Sequence, residues 1–224
     1  MGEIGTADSR GLPWPRPQAL LLDAMGTLLG LRASVGSTYA AVAAEHGLQL
    51  EPAALDQAFR AAYRAAPPLA FPGLSGAELE RAERNWWSER IAAVLRGVGE
   101  EGGGPPELHE QLFDLYATPR LWRVYDEVPE ALARWRMQGL RLAVVSNFDQ
   151  RLEGLLEAFD LLRWLDVVIL SSRAGAAKPS ALPFQLALAQ LGLAPHQAWH
   201  IGDSPEDESG ARAAGLPCVL VRRP

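Results

Sequence analysis

The residues of this 224-residue chain that could do chemistry are polar side chains lying just beyond short apolar runs. They are acids, hydroxyls, an amide and a lysine, at Asp23, Thr27, Ser146, Asn147, Lys178, Asp203 and Asp207. Two carboxylates that are brought together repel each other unless a cation compensates their charge. Because Mg²⁺ prefers carboxylate oxygens, the pair Asp23 and Asp203 predicts a Mg²⁺ site.

The first of these apolar runs, Leu20 to Leu22, is typical of a buried parallel strand, and Asp23 follows it directly. Gly26 then allows a tight turn of the backbone, and Thr27 adds a hydroxyl. Ligands of open α/β sheets bind at such carboxyl ends of strands. Taken alone, the stretch is equally consistent with Asp23 as the N-cap of a helix.

From residue 129 onward, helix-like and strand-like segments alternate, which is typical of a parallel sheet with crossover helices. Strands are predicted at 140–145, 167–170 and 218–221, and a strand with the turn that follows it at 199–203. Helices are predicted at 129–138, 151–159, 183–191 and 207–214. We therefore predict an α/β fold with a doubly wound, Rossmann-like parallel sheet. Because all strands of such a sheet point the same way, the polar residues at their ends should meet at one edge.

Residues 31–123 predict a mostly helical cap domain, inserted into a core domain that comprises residues 18–30 and 124–224. Apolar residues recur at helical spacing in four segments, at 37–44, 53–60, 77–95 and 107–116. No convincing buried strand occurs in this insertion. Residues 1–17 are polar and rich in proline, which favours a flexible tail, with a weak contact through Trp14 as the alternative.

The composition is typical of a globular protein, with 48% hydrophobic residues and a net charge of -6. This net negative charge argues against nucleic-acid partners, because proteins that bind nucleic acids usually have a basic face. No apolar run approaches the length of a membrane span, and the N-terminus lacks the order of a secretory signal. Cys218 is the only cysteine, which agrees with a reducing compartment. We expect a cytoplasmic protein that acts on a small molecule.

Four motifs, in this order, resemble those of the haloacid dehalogenase superfamily of hydrolases. They are Asp-x-x-Gly-Thr-Leu at 23–28, Ser-Asn at 146–147, Lys-Pro at 178–179 and Gly-Asp-Ser-x-x-Asp at 202–207. The resemblance spans about 20–221, and the helical segment resembles the cap of that family, inserted after the first motif. It implies hydrolysis through a covalent aspartyl intermediate.

The resemblance also implies a role for each residue. Asp23 would be the nucleophile, and Lys178 would neutralise charge between it and the substrate. Thr27 and Ser146 would donate hydrogen bonds to the transferred group, with help from Asn147.

The metal, by the same resemblance, would be Mg²⁺ bound by Asp23, Asp203 and the main-chain carbonyl of Met25, with Asp207 behind these ligands. Phosphatases of the family have a second aspartate at the position of Met25, where it protonates the leaving group. A thioether cannot do so, and the loss of a positioned acid commonly costs ~10² to 10⁴ in rate.

Three functions stay open for a chain with Met25 at that position. It could hydrolyse phosphates whose leaving groups need little protonation, cleave carbon–halogen bonds, or bind a phosphorylated metabolite without turnover. Dehalogenases of the family also have a non-acidic residue there, but they generally lack the acid corresponding to Asp203. Asp203 therefore favours a metal-dependent phosphatase, because a carboxylate that attacks a dianionic phosphate needs charge compensation.

Other residues with chemical potential have a structural interpretation that is at least as good. Aromatic residues of the cap could line the substrate, but their helical spacing favours core packing: Tyr39, Phe71, Trp86, Trp87 and Trp122. The four histidines show no metal-ligand spacing. His200 lies near Asp203, and we interpret it as a structural histidine.

Overall fold

Seven strands occur in residues 14–223, the part of the chain that the computed structural model describes. In chain order they are β1 (Ala19–Leu22), β2 (Leu29–Leu31), β3 (Trp122–Val124), β4 (Arg141–Ser146), β5 (Val167–Leu170), β6 (Ala198–Gly202) and β7 (Cys218–Leu220). Five of them form one parallel sheet in the order β5-β4-β1-β6-β7. The predicted doubly wound α/β fold is therefore confirmed.

Nine α-helices accompany these strands in the same residues. They are α1 (Val35–Glu45), α2 (Pro52–Arg64), α3 (Gly76–Gly97), α4 (Pro106–Tyr116), α5 (Val128–Met137), α6 (Arg151–Ala158), α7 (Ser171–Ala174), α8 (Leu182–Leu191) and α9 (Pro205–Ala213). Helices α5 and α6 pack on one face of the sheet, and α8 and α9 pack on the other. The short helix α7 was not predicted from the sequence.

Strand β1 is buried on both faces, which is why its sequence is an uninterrupted apolar run. Leu20 and Leu22 point into the core under α5 and α6, whereas Leu21 points to the opposite face and contacts the cluster around Phe184 of α8. Residue Leu22 pairs with Val144 of β4 on one side and with Ile201 of β6 on the other. The strand that ends at Asp23 is therefore the centre of the sheet.

A short antiparallel pair, β2 with β3, connects the sheet to the inserted helices. Leu31 lies opposite Trp122, and Leu29 lies opposite Val124. The sequence showed no convincing strand in the insertion, so these two strands at its ends were missed. Each strand has three residues, too few to show the alternation that indicates a strand. Both predicted domain boundaries fall within this pair of strands, and the division into core and cap stays a prediction.

The four helices α1 to α4 follow β2 without an intervening strand in the described chain. They bury a cluster of their own, in which Leu55, Leu95 and Leu108 are fully covered. Burial of this apolar surface stabilises the packing of the four helices against one another. The α2–α3 connection also contacts a residue after β5, because Ser171 Oγ donates to the Leu69 carbonyl at 2.6 Å.

The tail predicted at 1–17 is described only from Trp14 onward, and residues 1–13 lie outside the described part of the chain. The ring of Trp14 packs edge to face against Trp199 of β6, with 5.8 Å between ring centroids. The contact through Trp14, the alternative from the sequence, is therefore present. Within residues 14–223, no helix has the length and the apolar character that a membrane crossing requires.

Candidate active site

The loop after β1 brings Asp23 to within reach of the loop after β6. The backbone amide of Asp23 donates to the Ile201 carbonyl at 2.9 Å. This hydrogen bond fixes the start of the loop on the neighbouring strand β6. Gly26 then turns the chain with φ of +83°, and a Cβ on this residue would lie 2.1 Å from Asp203 Oδ2. Only glycine permits both the backbone conformation and this close approach.

Lys178 lies at the centre of the site and is almost fully buried. Its Nζ donates to Asp23 Oδ1 and Asp207 Oδ1, both at 2.6 Å, and to the Val145 carbonyl at 3.1 Å. All three hydrogens of the ammonium group therefore have an acceptor. Burial alone would lower the pKa of Lys178, but the two carboxylates raise it above its ordinary value, so the side chain stays charged.

Lys178 is also the only lysine in the chain, because the other 20 of the 21 basic residues are arginines. A compact ammonium group can donate in three tetrahedral directions, whereas the planar guanidinium of arginine cannot. Asp23, Asp207 and the Val145 carbonyl each accept one hydrogen bond from the single atom Nζ. The geometry of the site explains why lysine occurs here.

The two buried acids beside Lys178 have opposite electrostatic environments. Burial raises the pKa of Asp23, and the negative charge of Asp207 raises it further against the opposing effect of Lys178. For Asp207 burial acts in the same direction, but His200 and Lys178 hold the pKa of that carboxyl well below its usual range. Asp207 is thus a permanently ionised group that holds Lys178 in place.

His200 is fully buried on β6 and connects Asp207 to strand β1. Its Nδ1 lies 2.9 Å from the Leu21 carbonyl, and its Nε2 lies 2.8 Å from Asp207 Oδ1. This contact with Asp207 was missed from the sequence. A histidine inside a buried strand must find polar partners, and that requirement is the signal that could have indicated it.

Three carboxylates could hold a metal ion at this edge of the sheet. Asp23, Asp203 and Asp207 each offer one oxygen, and these oxygens lie within 4.8 Å of one another. Both oxygens of Asp207 already accept hydrogen bonds, Oδ2 from the amides of Asp203 and Ser204. Partial burial, with the charges of Asp23 and Asp207, raises the pKa of Asp203 to about 6. Crowded carboxylates with one exposed member fit a divalent cation.

The residues predicted to bind the transferred group lie around Asp23. Ser146 Oγ donates to Asp23 Oδ1 at 3.2 Å. Thr27 Oγ1 is buried and finds no partner within residues 14–223, so it is free to donate to a ligand. The amide of Asn147 binds the main chain of Lys178, donating at 3.0 Å and accepting at 2.7 Å. Asn147 therefore positions the Lys178 segment, and its contact with the transferred group stays a prediction.

Two cavities meet at Met25, whose side chain is 41% exposed. The polar cleft, of about 620 Å³, is lined by Asp23, Ser146, Lys178, Asp203 and Asp207 among others. The apolar cavity, of about 230 Å³, lies between the inserted helices and the loop after β4, and Tyr39, Phe113, Trp122 and Phe148 line it.

The aromatic residues considered from the sequence divide between these cavities. Trp86 borders the polar cleft, while Tyr39, Trp87 and Trp122 border the apolar cavity. Tyr39, Trp86 and Trp122 are at the same time buried core residues. Phe71 lines neither cavity. Core packing and cavity lining are thus combined in the same side chains.

Asp149, which follows the Ser146 motif, joins the inserted helices to the sheet, a role that sequence analysis missed. It is fully buried and accepts from Trp87 Nε1 of α3 at 2.6 Å and from Arg151 Nε at 2.8 Å. Next to it, Glu83 of α3 accepts from Gln150 Nε2 at 3.1 Å. Such partners come from distant parts of the chain, so only the fold reveals them.

Known proteins that are similar to this chain identify its family. The haloacid dehalogenase-like hydrolase family matches residues 17–215. Haloacid dehalogenase-like hydrolase domain-containing protein 3 of Homo sapiens is 40% identical over 208 residues, covering 92% of this chain and 82% of that protein. The first two motifs occur in this chain as Asp-Ala-Met-Gly-Thr and Ser-Asn-Phe-Asp, and these versions predict a similarity to that protein. The comparison confirms this prediction.

More distant relatives show phosphatase names and the same fold. A phosphoserine phosphatase of Thermus thermophilus is 37% identical over 134 residues, 58% of this chain and 53% of that protein. The solved structure of CbbY from Rhodobacter sphaeroides in complex with phosphate has a TM-score of 0.58 at 21% identity and covers 91% of this chain and 85% of that chain. A dehalogenase structure has a TM-score of 0.65 at 23% identity, with 92% and 85% covered.

The match of one family to nearly the whole chain and the close relatives in other organisms give the same result. So do the fold and the four motifs at the edge of its sheet. The chain belongs to the haloacid dehalogenase-like hydrolases.

Proposed function

We propose that this protein is a Mg²⁺-dependent phosphatase-type hydrolase of small phosphate esters, with Asp23 as its nucleophile. The observation that carries the proposal is the buried Lys178, 2.6 Å from Asp23, beside the exposed carboxylate of Asp203. A phosphate dianion that approaches a carboxylate must overcome strong repulsion. Lys178 and a cation held at Asp23 and Asp203 provide opposite charge for this purpose.

The reaction follows from the chain's own groups in two steps. In the first, an oxygen of Asp23 forms a bond to phosphorus while the bond from phosphorus to the ester oxygen breaks, and the electron pair leaves with that oxygen. In the second, water attacks phosphorus, the bond to Asp23 breaks, and phosphate and one proton are released. That proton neutralises the departed oxyanion, so the sum is hydrolysis of one ester bond.

Ser146 and Thr27 bind the transferred group during both steps, and Lys178 acts on the nucleophile. The Ser146 hydroxyl and the unpartnered Thr27 hydroxyl donate hydrogen bonds to phosphoryl oxygens, and Lys178 keeps Asp23 oriented. Asp207 and His200 hold Lys178 from behind. Asp23 and Asp203 would hold Mg²⁺, which would supply positive charge to offset that of the phosphoryl group. The Met25 carbonyl is proposed as its third protein ligand.

Met25 determines which esters are hydrolysed readily. It offers no proton to the leaving oxygen, so esters whose leaving groups are stable anions, such as aryl and acyl phosphates, are the favoured substrates. The same residue motivates the second candidate, a protein that binds phosphorylated metabolites but turns them over slowly. A dehalogenase is disfavoured because Asp203 is kept.

A screen for released phosphate and halide distinguishes these functions. The parent chain with Mg²⁺ is given acetyl phosphate, 4-nitrophenyl phosphate, alkyl phosphates and 2-haloacids. Phosphate release that Asp23→Asn reduces by about 10³-fold or more supports the proposal. Asp160→Asn, at an exposed turn, is the matched control and should keep the parent rate.

Two other results of the screen identify the alternatives. Halide release that persists in a chelator, without phosphate release, identifies a dehalogenase. Binding of phosphate analogues without any turnover identifies the binding protein.

A further inference from the structure

The apolar cavity has few polar groups that are free to bind a ligand, chiefly the hydroxyls of Tyr39, Tyr63 and Tyr116 on its wall. Its one charged residue, Arg151, donates through Nε and Nη2 to Asp149 and through Nη1 to the Phe113 carbonyl. Its one amide, Asn147, is bound at both ends by the main chain of Lys178. A polyhydroxylated group such as a sugar would therefore lose its hydrogen bonds to water in this cavity and gain few in return.

The cavity also lies directly beside the site of the proposed reaction. Four residues border both it and the polar cleft: Met25, Phe59, Tyr63 and Asn147. Met25 is two residues from Asp23, and Asn147 follows Ser146, which donates to Asp23. A phosphate at Asp23 thus has the apolar cavity next to it, on the side of Met25.

The size of the cavity limits what can enter. An engineered cavity of about 150 Å³ in another protein binds benzene. The 230 Å³ measured here accommodates a larger planar group, such as a fused pair of aromatic rings. The walls provide aromatic faces and edges, including those of Tyr39, Trp122 and Phe148, which favour contacts with another ring.

We infer that the apolar cavity receives the leaving group of the substrate, and that this group is aromatic, so the substrate is an aryl phosphate monoester. This inference rests on the proposed function. Met25 agrees with it, because an aryl oxide departs with the electron pair of the broken phosphorus–oxygen bond and needs no proton in that step. Asp23 gains the phosphoryl group, and water then releases phosphate and the proton that converts the aryl oxide to a phenol.

The inference is tested by a ratio of two kcat/KM values, which is compared between the parent chain and its variants. The kcat/KM for 2-naphthyl phosphate is divided by that for acetyl phosphate, whose leaving group also departs without a proton but has no ring. Comparing this ratio between variants cancels the difference in intrinsic reactivity of the two compounds. Val35→Phe, which adds a ring at the wall of the cavity, should lower this ratio about tenfold or more. Met137→Phe, on the exposed end of α5, is the control and should leave the ratio as in the parent.

A binding measurement gives a second readout that needs no turnover. Calorimetry should show saturable 1:1 binding of 2-naphthol to the parent chain and to Met137→Phe, and a loss of about tenfold or more in affinity for Val35→Phe. If Val35→Phe melts early, Leu31→Phe reaches the same cavity from β2 and replaces it.

The outcomes separate this inference from the proposed function. If no phosphate ester is hydrolysed, acetyl phosphate included, the proposed function fails and 2-naphthol binding alone decides whether the cavity takes an aromatic group. If esters are hydrolysed but the ratio is the same in Val35→Phe and Met137→Phe, the proposed function stands and the inference is overturned. Equal 2-naphthol affinity in the two variants would also overturn it.

Discussion

The polar cleft and the apolar cavity share Met25 but differ in what stabilises them. In the cleft, Lys178 lies between two buried carboxylates, and each charge depends on the others. In the cavity, the walls are aromatic rings packed around empty space, and the only charge is neutralised by Asp149. The contrast shows that charge interactions hold the residues of the polar cleft in place, whereas the packing of aromatic rings determines the shape of the apolar cavity. Substitutions should therefore have different effects on the two sides.

Removing the charge of Lys178 should have the largest effect. Lys178→Met leaves the buried Asp23 and Asp207 carboxylates without their cation, which should lower the free energy of unfolding by about 3–5 kcal/mol. Because protonation of the two acids relieves the repulsion, the loss should be smaller at pH 5 than at pH 8. Urea denaturation at both pH values measures it.

Lys178→Arg is the informative comparison for that substitution. A planar guanidinium cannot make three donations from a single nitrogen, as Nζ does, so Lys178→Arg should also be destabilised and inactive. A stable and active Lys178→Arg would mean that charge alone, rather than the geometry of the ammonium group, organises the cleft.

Placing an acid at the boundary of the two cavities should have the next largest effect, on rate. Met25→Asp should raise the hydrolysis of alkyl phosphates about 10²-fold, since it supplies the proton that an alkoxide needs, and should change aryl phosphate hydrolysis less. The kcat/KM values for both ester classes are measured with and without Mg²⁺. A variant that is folded and binds metal, yet gains nothing on alkyl phosphates, would contradict the role given to Met25.

The metal site should show a moderate and pH-dependent stabilisation. Millimolar Mg²⁺ should stabilise the parent chain by about 1–3 kcal/mol through binding to the native state. The pKa of Asp203 is about 6, so its carboxylate is mostly protonated at pH 5 and mostly ionised at pH 7.5. The melting-temperature shift caused by Mg²⁺ should therefore grow as the pH rises through 6.

Asp203→Ala is the control for this metal effect. It should abolish the shift at every pH while leaving the fold intact, because Asp203 is exposed. A parent chain whose melting temperature does not respond to Mg²⁺ at pH 7.5 would exclude the metal site.

The smallest expected effect concerns the wall of the apolar cavity. Trp87→Phe keeps an aromatic ring there but removes the indole donor to the buried Asp149 carboxylate. Because Arg151 keeps two hydrogen bonds to the same carboxylate, the loss of the indole hydrogen bond should lower the free energy of unfolding by only about 0.5–1.5 kcal/mol. Denaturation of Trp87→Phe and of Trp135→Phe, whose ring packs against the core away from this cavity, provides the comparison.

The polar cleft was predictable from the sequence to a greater degree than the apolar cavity. Asp23 and Asp203 each follow a strand and Ser146 ends one, the apolar runs of these strands are visible in the sequence, and parallel topology brings such residues together. The strand β2 and its partner β3 were missed because three residues carry too little periodicity. The domain division and the functional role of each site residue stay predictions.

The cavity could not be predicted because its walls come from distant segments. Leu31, Tyr39, Trp87, Phe113 and Phe148 meet only after α1, α3 and α4 have packed against the loop that follows β4. Each of these side chains fits a core position in its own element, so no local pattern indicates an empty space among them. Asp149 illustrates the same limit, since its partner Trp87 lies 62 residues away in the sequence.

The presence of a single lysine has a spectroscopic consequence. Lysine labelled with ¹⁵N at the side chain would place one reporter nucleus in the entire chain, at the Nζ that contacts Asp23 and Asp207. Its three hydrogen-bonded protons are shielded from water by burial, which slows their exchange with solvent. One resonance would then follow each change in the charge around the proposed nucleophile, without resonance assignment and without altering any residue of the site.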